Sequence, residues 1–322
     1  RNHRKESSIY SMNQEELGTI PENYRSGYAA LAGRPNVGKS TLINTLLGQK
    51  IAAVSSKPQT TRQKQLGILS MPDAQIIFID TPGIHYPRHK LGKGMNALAE
   101  TSLQEADAVV WLVDASVPPQ KEDELITEKL AALDKIPPVV QALNKIDLLS
   151  KAELDEQKRA YAELYPGVEQ IAISAKFGAG VLELVDWLKD KLPPGMPYYP
   201  PDQVTDYHER EIAADLIREA AMEHLREEVP HAIAVRIDEY IERNNQGVYI
   251  AATIFVEKDS QKGIVIGKGG EMLKTIGTEA RKAIEAMSGR KVFLDLRVKV
   301  NKNWRSNADF LRRMGYENLE DA

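Results

Sequence analysis

Gly33-Arg34-Pro35-Asn36-Val37-Gly38-Lys39-Ser40 is the stretch that decides how this chain folds. It follows the apolar run Tyr28-Ala-Ala-Leu-Ala32 and leads into a helical stretch, Thr41 to Leu47. That is the strand, glycine loop and helix order of a phosphate-binding loop. The glycines let backbone amides face phosphate oxygens, and the helix N-terminus adds its dipole. Lys39 neutralises β- and γ-phosphate charge, and the Ser40 hydroxyl is placed to ligate magnesium.

Working outward, further apolar runs recur: Ile76-Ile-Phe-Ile79, Ala108 to Val113, Val139 to Leu143 and Gln170 to Ile173, each followed by a helical stretch. Unbroken apolar runs of four to six residues suit parallel strands buried on both faces. Their alternation with helices predicts a doubly wound, mostly parallel α/β domain. At the carboxyl ends of those strands, where open α/β sheets take ligands, stand three more polar motifs. Asp80-Thr81-Pro82-Gly83 offers a carboxylate for magnesium and a glycine amide for the γ-phosphate. Asn144-Lys145-Ile146-Asp147 offers a carboxylate that accepts from N1–H and the exocyclic amine of guanine, donors that adenine lacks in that arrangement, so the expected nucleotide is GTP or GDP. Ser174-Ala175-Lys176 is placed to complete the base pocket through its backbone amides. The nucleotide-binding set is therefore Gly33 through Thr41, Asp80 through Gly83, Asn144, Lys145, Asp147 and Ser174 through Lys176, with Ser40 and Asp80 as metal ligands. His85 and His89 lie near the second motif and read as solvated residues of a polar loop, because phosphoryl transfer depends chiefly on positioning and charge.

Leu192 to Pro201 holds five prolines in ten residues, which removes amide donors and stops any helix or sheet. It marks a linker at 193–205 between a nucleotide domain at 28–192 and a second domain at 206–322. Beyond it a helix near 206–228, strands near 232–241 and 248–256, a helix near 271–288, a strand near 292–300 and a last helix from about 303 predict an α+β domain. Residues 1–27 read as a polar arm from which no function follows.

The formal net charge of −4 conceals an asymmetry: residues 262–313 hold 13 Lys or Arg against 5 Asp or Glu. Inside this basic stretch, Ile264-Val-Ile266-Gly267-Lys268-Gly269-Gly270 precedes an amphipathic helix with Leu273, Ile276, Ala280, Ala283, Ile284 and Met287 on one face. A GxxG loop in that setting is the element with which KH domains approach a single-stranded RNA backbone. Ile266 through Gly270, with Lys274 and Arg281 on the helix, form the expected RNA contact. Lys302, Trp304 and Arg305 add basic and aromatic groups that can stack on bases or meet phosphate, with Trp304 equally suited to a core. Absence of cysteine excludes disulfides and thiolate metal sites and leans weakly toward the cytoplasm. No apolar run approaches the roughly 20 residues that span a bilayer.

The boxes around Lys39, Asp80, Asn144 and Ser174, in this order, resemble those of translation-factor-type GTPases. Together with Pro58-Gln-Thr60-Thr61-Arg62, the proline linker, the GxxG segment and the ending Lys302-Asn-Trp-Arg with Met314-Gly-Tyr316, they are similar to the Era family of ribosome-assembly GTPases over residues 28–317. The resemblance implies a P-loop G domain followed by a type II KH domain. It implies that Thr61, or alternatively Thr60, closes over magnesium as switch I, and that Lys39, Asn36, Thr61 and Gly83 carry catalysis. Where Ras-like enzymes place a water-orienting glutamine, this sequence has Ile84, which cannot position water by hydrogen bonding. In related families an asparagine at the Asn36 position helps hold potassium. The resemblance further implies binding to the 3′ end of small-subunit ribosomal RNA and to the small ribosomal subunit, with peripheral association at the inner membrane. Two other readings stay open on the sequence: an RNA-binding module whose nucleotide site is only structural, and a P-loop ATPase or kinase, against which Asn144 and Asp147 speak.

Overall fold

The computed structural model describes residues 20–55, 57, 61–87, 89–243 and 247–316. Of the sequence expectations, Pro58, Gln59, Thr60 and the first 19 residues of the arm lie outside them. The described residues divide into two compact units, one within Arg1–Lys50, Gln63–Tyr86 and Met95–Asp206, the other within Ile51–Arg62, Pro87–Gly94 and Tyr207–Ala322.

The first unit is built on a six-stranded sheet. Its strands are β1 (Arg25–Ala32), β2 (Gln65–Ser70), β3 (Ala74–Asp80), β4 (Ala108–Asp114), β5 (Val139–Asn144) and β6 (Glu169–Ala172). They lie in the order β2-β3-β1-β4-β5-β6. All neighbours pair in parallel except β2, which returns antiparallel on β3. Every residue of β3 and β4 is buried, as strands covered on both faces require. β2 has no counterpart among the five apolar runs seen in the sequence: Gln65-Leu-Gly-Ile-Leu-Ser is short and broken by a glycine and polar ends. The helices include α1 (Lys39–Leu47), α2 (Lys90–Glu105), α3 (Lys121–Ala131), α4 (Lys151–Leu164) and α5 (Val181–Lys191). Ser150 starts α4 through a capping box with Glu153, whose carboxylate accepts from the Ser150 amide at 2.7 Å.

The proline-rich linker is bonded to this unit along its length. Pro193 O accepts from Ser26 N, Gly195 N donates to Tyr24 O, and Val204 O accepts from Ile68 N at 2.8 Å. The buried Gln75 side chain accepts from Tyr198 N and Tyr199 N at 2.7 and 3.0 Å and donates to Tyr199 O at 2.9 Å. Asp206 Oδ1 accepts from Leu66 N at 3.1 Å. Proline removes donors from the segment, and the unit's edge supplies partners for those that remain.

The second unit carries a three-stranded sheet in the order β7-β8-β9, formed by β7 (Ala234–Glu242), β8 (Val248–Val256) and β9 (Val292–Val300). β7 and β8 are antiparallel, while β8 and β9 are parallel. Helices α6 (Glu209–His224), α7 (Asp259–Ile266) and α8 (Glu271–Ser288) and the short α9 (Ala308–Arg313) complete it. Ile250, Ala252, Ile254 and Val256 on alternate positions of β8 join Leu216 and Ile217 of α6 in one core. The apolar face of α8 enters the same core, with Ile276, Ala280 and Ile284 buried and Leu273, Ala283 and Met287 packed against it. Ile264-Val-Ile266 belongs to α7, so the GxxG segment joins two helices. Among the described residues no helix is long and apolar enough to cross a membrane.

Candidate nucleotide site and nucleic-acid interface

The phosphate loop leaves β1 at Gly33 and enters α1 through Gly38, whose φ of 104° lies in the left-handed region. A Cβ on Gly38 would stand 2.3 Å from Asn144 Nδ2, so the close approach of two loops requires glycine there. No side chain caps α1, which leaves its first-turn amides for an anion. Lys39 is 6% exposed, and its ammonium donates to the carbonyls of Gly33 at 2.9 Å and Arg34 at 3.1 Å. Burial pulls its pKa down to about 8, partly opposed by Asp80. A phosphate arriving beside Lys39 restores the charged form, so binding takes up a proton wherever the free lysine has begun to lose its own. GDP affinity is expected to fall about tenfold between pH 7 and pH 9, measured by competition titration. Lys39→Met should bind weakly and without this pH dependence; a wild-type affinity flat over that range would contradict the assignment.

Ser40 and Asp80 meet at the ends of α1 and β3: the Ser40 hydroxyl donates to Asp80 Oδ2 at 2.9 Å. Asp80 is fully buried. A hydroxyl and a carboxylate oxygen side by side fit a hard divalent cation such as magnesium, which binds through one or two protein oxygens and the substrate's phosphates. No cluster of three or more His, Cys, Asp or Glu that could hold a metal occurs among the described residues. Thr81 and Pro82 are buried, and the Thr81 hydroxyl donates to Leu31 O at 2.8 Å. The Thr81 side chain thus fastens the motif to β1 and is turned to the sheet. Gly83 lies against the phosphate loop, where a Cβ would stand 2.6 Å from Pro35 N. Ile84 is 1% exposed within the core beside Ala30 and Val109, so the position next to Gly83 neither reaches nor orients water. His85 Nδ1 lies 2.9 Å from Gly83 O, which ties the ring to its own loop.

Asn144 is a clip. Its side-chain amide donates to Val37 O at 2.7 Å, and its oxygen accepts from Ala175 N at 2.8 Å. One buried side chain thereby joins the phosphate loop to the Ser174–Lys176 loop. Asp147, exposed in the turn Ile146–Leu148, accepts from the Ser174 hydroxyl at 2.6 Å. Ser174 and Ala175 are buried, whereas Lys176 is exposed with its ammonium 5.1 Å from the Phe177 ring. Lys145 adopts a left-handed φ of 69° and forms an ion pair of 2.5 Å with Asp114. Burial alone would raise the Asp114 pKa, but the Lys145 and Ser116 hydrogen bonds outweigh it and hold the carboxyl below its ordinary range. Asp114 also stands 3.9 Å from Arg34, whose guanidinium pairs with the buried Asp123 at 3.3 Å. Asp114 ties the base motif to the phosphate loop and Asp123 holds Arg34 of that loop at the start of α3, and the sequence reading missed both. Each ends a strand or caps a helix, an ordinary place for an aspartate, and only the fold reveals their partners.

Asn36 stands exposed at the loop tip with φ 65°, while Val37 is buried and Thr41 partly buried. Thr61 belongs to the segment Ile51–Arg62, which groups with the second unit.

In the second unit, Gly267, Gly269 and Gly270 have φ of 74°, 61° and 83°, conformations that favour glycine. Lys268 and Gly269 are exposed and Ile266 partly so. Beside this loop runs an open groove of about 690 Å³. Leu273, Lys274, Gly277 and Arg281 of α8 form one wall and Phe293 to Leu296 of β9 the other. Phe293 is 58% exposed. An apolar floor with cations on the rim accepts stacked bases while the phosphates follow the charge. The β9 wall was missed in the sequence, where it reads as an ordinary strand.

Lys302, Trp304 and Arg305 do not line this groove. Trp304 is fully buried and its indole N–H donates to Ala232 O at 2.8 Å, with Phe310 at 6.0 Å between ring centroids. It is a core residue, which corrects its place among the RNA contacts: a ring without exposed surface has no face for a base. Arg305 pairs with Glu257 at 2.5 Å, which offsets its charge. Lys302 alone of the three is exposed.

The phosphate loop, guanine-type base pocket and GxxG groove define a P-loop GTPase that carries a KH module. The family model described as 50S ribosome-binding GTPase matches residues 28–145, and the KH domain model matches residues 228–305. One similar solved structure is Era in complex with MgGDPNP and nucleotides 1506–1542 of 16S ribosomal RNA, at 40% identity and TM-score 0.86 over 91% of this chain and 99% of that one. A second is a variant of Aquifex aeolicus Era bound to GDP.AlF4-, at 40% identity and TM-score 0.85 over the same shares. The chain belongs to the Era family.

Proposed function

We propose that this GTPase is a nucleotide-controlled RNA binder that takes the 3′ end of small-subunit ribosomal RNA in its GxxG groove and acts in assembly of the small ribosomal subunit. The observation that carries this reading is the match, through both units, to an Era structure holding MgGDPNP and a 16S ribosomal RNA segment, in a chain whose own groove is apolar-floored and cation-rimmed.

Residues 28–192 supply the nucleotide site, 193–205 the linker and 206–322 the RNA site. Asp147 and the Ser174–Lys176 loop hold the guanine; the loop Gly33–Thr41 holds the phosphates. Ser40 and Asp80, with Thr61 of switch I, would hold magnesium, which would supply charge for the β- and γ-oxygens. Lys39 neutralises the same oxygens, and the Gly83 amide meets the γ-phosphate. Loss of that phosphate releases Thr61 and Gly83, and the change reaches the RNA site as a shift of population. With Ile84 buried, hydrolysis relies on another group, and Asn36 at the exposed loop tip shares a potassium ion with the phosphates. The protein works in the cytoplasm, with peripheral association at the inner membrane.

The deciding experiment measures GTP and ATP turnover in potassium and in sodium buffer, with and without RNA ending in the small-subunit 3′ sequence. Expected are turnover of GTP alone, a several-fold increase in potassium that Asn36→Ala loses, and a further rise with RNA. Equal turnover in the two salts removes the potassium site, and turnover indifferent to RNA together with equal RNA affinity in the GTP-analogue and GDP states removes the switch.

A further inference from the structure

The segment Ile51–Arg62 follows α1 and carries Thr61, yet its contacts group it with the second unit. Three side chains hold it there. Ser55 Oγ donates to Glu223 Oε1 at 2.6 Å. The Lys57 ammonium donates to the carbonyls of Met222 and Leu225, at the C-terminal end of α6, where unpaired carbonyls and the negative end of the helix dipole favour a cation. Arg62 goes deepest: it is 3% exposed, its guanidinium donates to Ile233 O at 2.7 Å, and its centre lies 5.6 Å from the centroid of the buried Trp304 ring. Tyr316 and Asp215 oppose the desolvation of this buried cation, and Asp215 itself pairs with Arg218 at 2.5 Å. A charge placed so deeply, on a carbonyl and an aromatic face, has a specific seat.

We propose that Arg62 is the positioning residue through which the nucleotide state sensed at Thr61 is transmitted to the RNA-binding unit. The inference rests on the assignment of Thr61 to switch I made above and names the route of the coupling. Adjacent Cα atoms are about 3.8 Å apart, so a few ångströms of movement at Thr61 either draw Arg62 from its seat or carry the seat with it. The seat is made by Ile233, immediately before β7, and by Trp304, which follows β9, with Asp215 and Arg218 of α6 acting on its charge. The linker is bonded to the first unit along its length, which favours the Arg62 segment as the transmitting element. Linkage makes the effect reciprocal: RNA that stabilises the seated form alters nucleotide affinity by the same factor.

The test compares the dissociation constant for single-stranded RNA of the small-subunit 3′ sequence in the GTP-analogue and GDP states, for the full-length wild type, Arg62→Met, Arg62→Lys and Lys57→Met. The expected wild-type ratio is about 10-fold, within the usual range of coupling. Arg62→Met should bring it within about 2-fold of unity, Arg62→Lys should keep part of it, and Lys57→Met, a change nearer the surface, should reduce it. Amide hydrogen exchange in the nucleotide-free protein gives a readout independent of RNA, with segment 51–62 expected to exchange at least about tenfold faster in Arg62→Met. A wild-type ratio retained in Arg62→Met, or unchanged exchange of the segment, overturns the route while the switch itself stands; a wild-type ratio of one overturns both. Melting of each variant is followed in parallel, and if Arg62→Met does not fold, Lys57→Met decides, an unchanged ratio there overturning the route.

Discussion

Asp147→Asn is expected to exchange the base preference of this protein from guanine to xanthine. In the proposed base site, the two carboxylate oxygens would accept from N1–H and the exocyclic amine of guanine, and Ser174 already donates to Oδ1 at 2.6 Å. An amide keeps one acceptor and replaces the other by a donor. Facing guanine, that donor meets the exocyclic amine, so one charge-assisted bond becomes a neutral one and the other becomes a clash. At about 1.5–3 kcal/mol for each hydrogen bond to a charged group, the loss is on the order of 10²-fold or more in affinity for GDP. Xanthine carries a carbonyl where guanine has the amine and accepts the new donor. Competition binding with GDP and XDP checks this. A variant that binds GDP as tightly as the wild type, with no gain for XDP, would show that another residue reads the base.

The second large effect is expected at the RNA loop. Gly269→Asp should weaken binding of single-stranded RNA by about 10- to 150-fold, the value of one charge-assisted contact of about 1.5–3 kcal/mol, and leave GDP affinity unchanged. Gly269 has φ of 61°, and a Cβ placed on it meets nothing within 4 Å. Aspartate is among the residues that tolerate this left-handed conformation, so the variant keeps its fold while a carboxylate faces the incoming phosphates. Gly267 makes the contrast. A Cβ there would stand 2.7 Å from Met272 Cβ and 2.9 Å from its amide nitrogen, at φ 74°. Gly267→Ala therefore disturbs the start of α8 itself and should lower the melting temperature as well as RNA affinity. Fluorescence anisotropy with labelled RNA, alongside thermal melts, separates the two. RNA binding by Gly269→Asp at the wild-type level would remove the loop from the interface.

The motifs of the nucleotide site were legible because each is local: a turn between one strand and the next helix holds all the residues that meet one part of the ligand. The same locality explains α8, whose apolar period survives unchanged into the core through Ile276, Ala280 and Ile284. What escaped the sequence depends on partners far along the chain. β2 became a strand because β3 supplied its hydrogen bonds, against a composition that did not ask for one. Asn144 was read as part of a base motif, and its clip between Val37 and Ala175 appears only when three loops meet.

Charge and aromaticity did not decide the places of Trp304 and Arg305, because composition shows which groups a segment carries and not which way they face. Burial turned the tryptophan inward, and Glu257 took up the charge of the arginine. The sequence by itself determined a P-loop α/β domain, its guanine preference, and a GxxG module beyond a proline boundary, since those follow from backbone conformations and hydrogen-bonding groups within a few residues. Only the tertiary structure decided which side chains form the groove wall, which merely fill the core, and that Arg62 is seated in the RNA-binding unit, since burial and ion pairing are properties of surfaces brought together from distant parts of the chain.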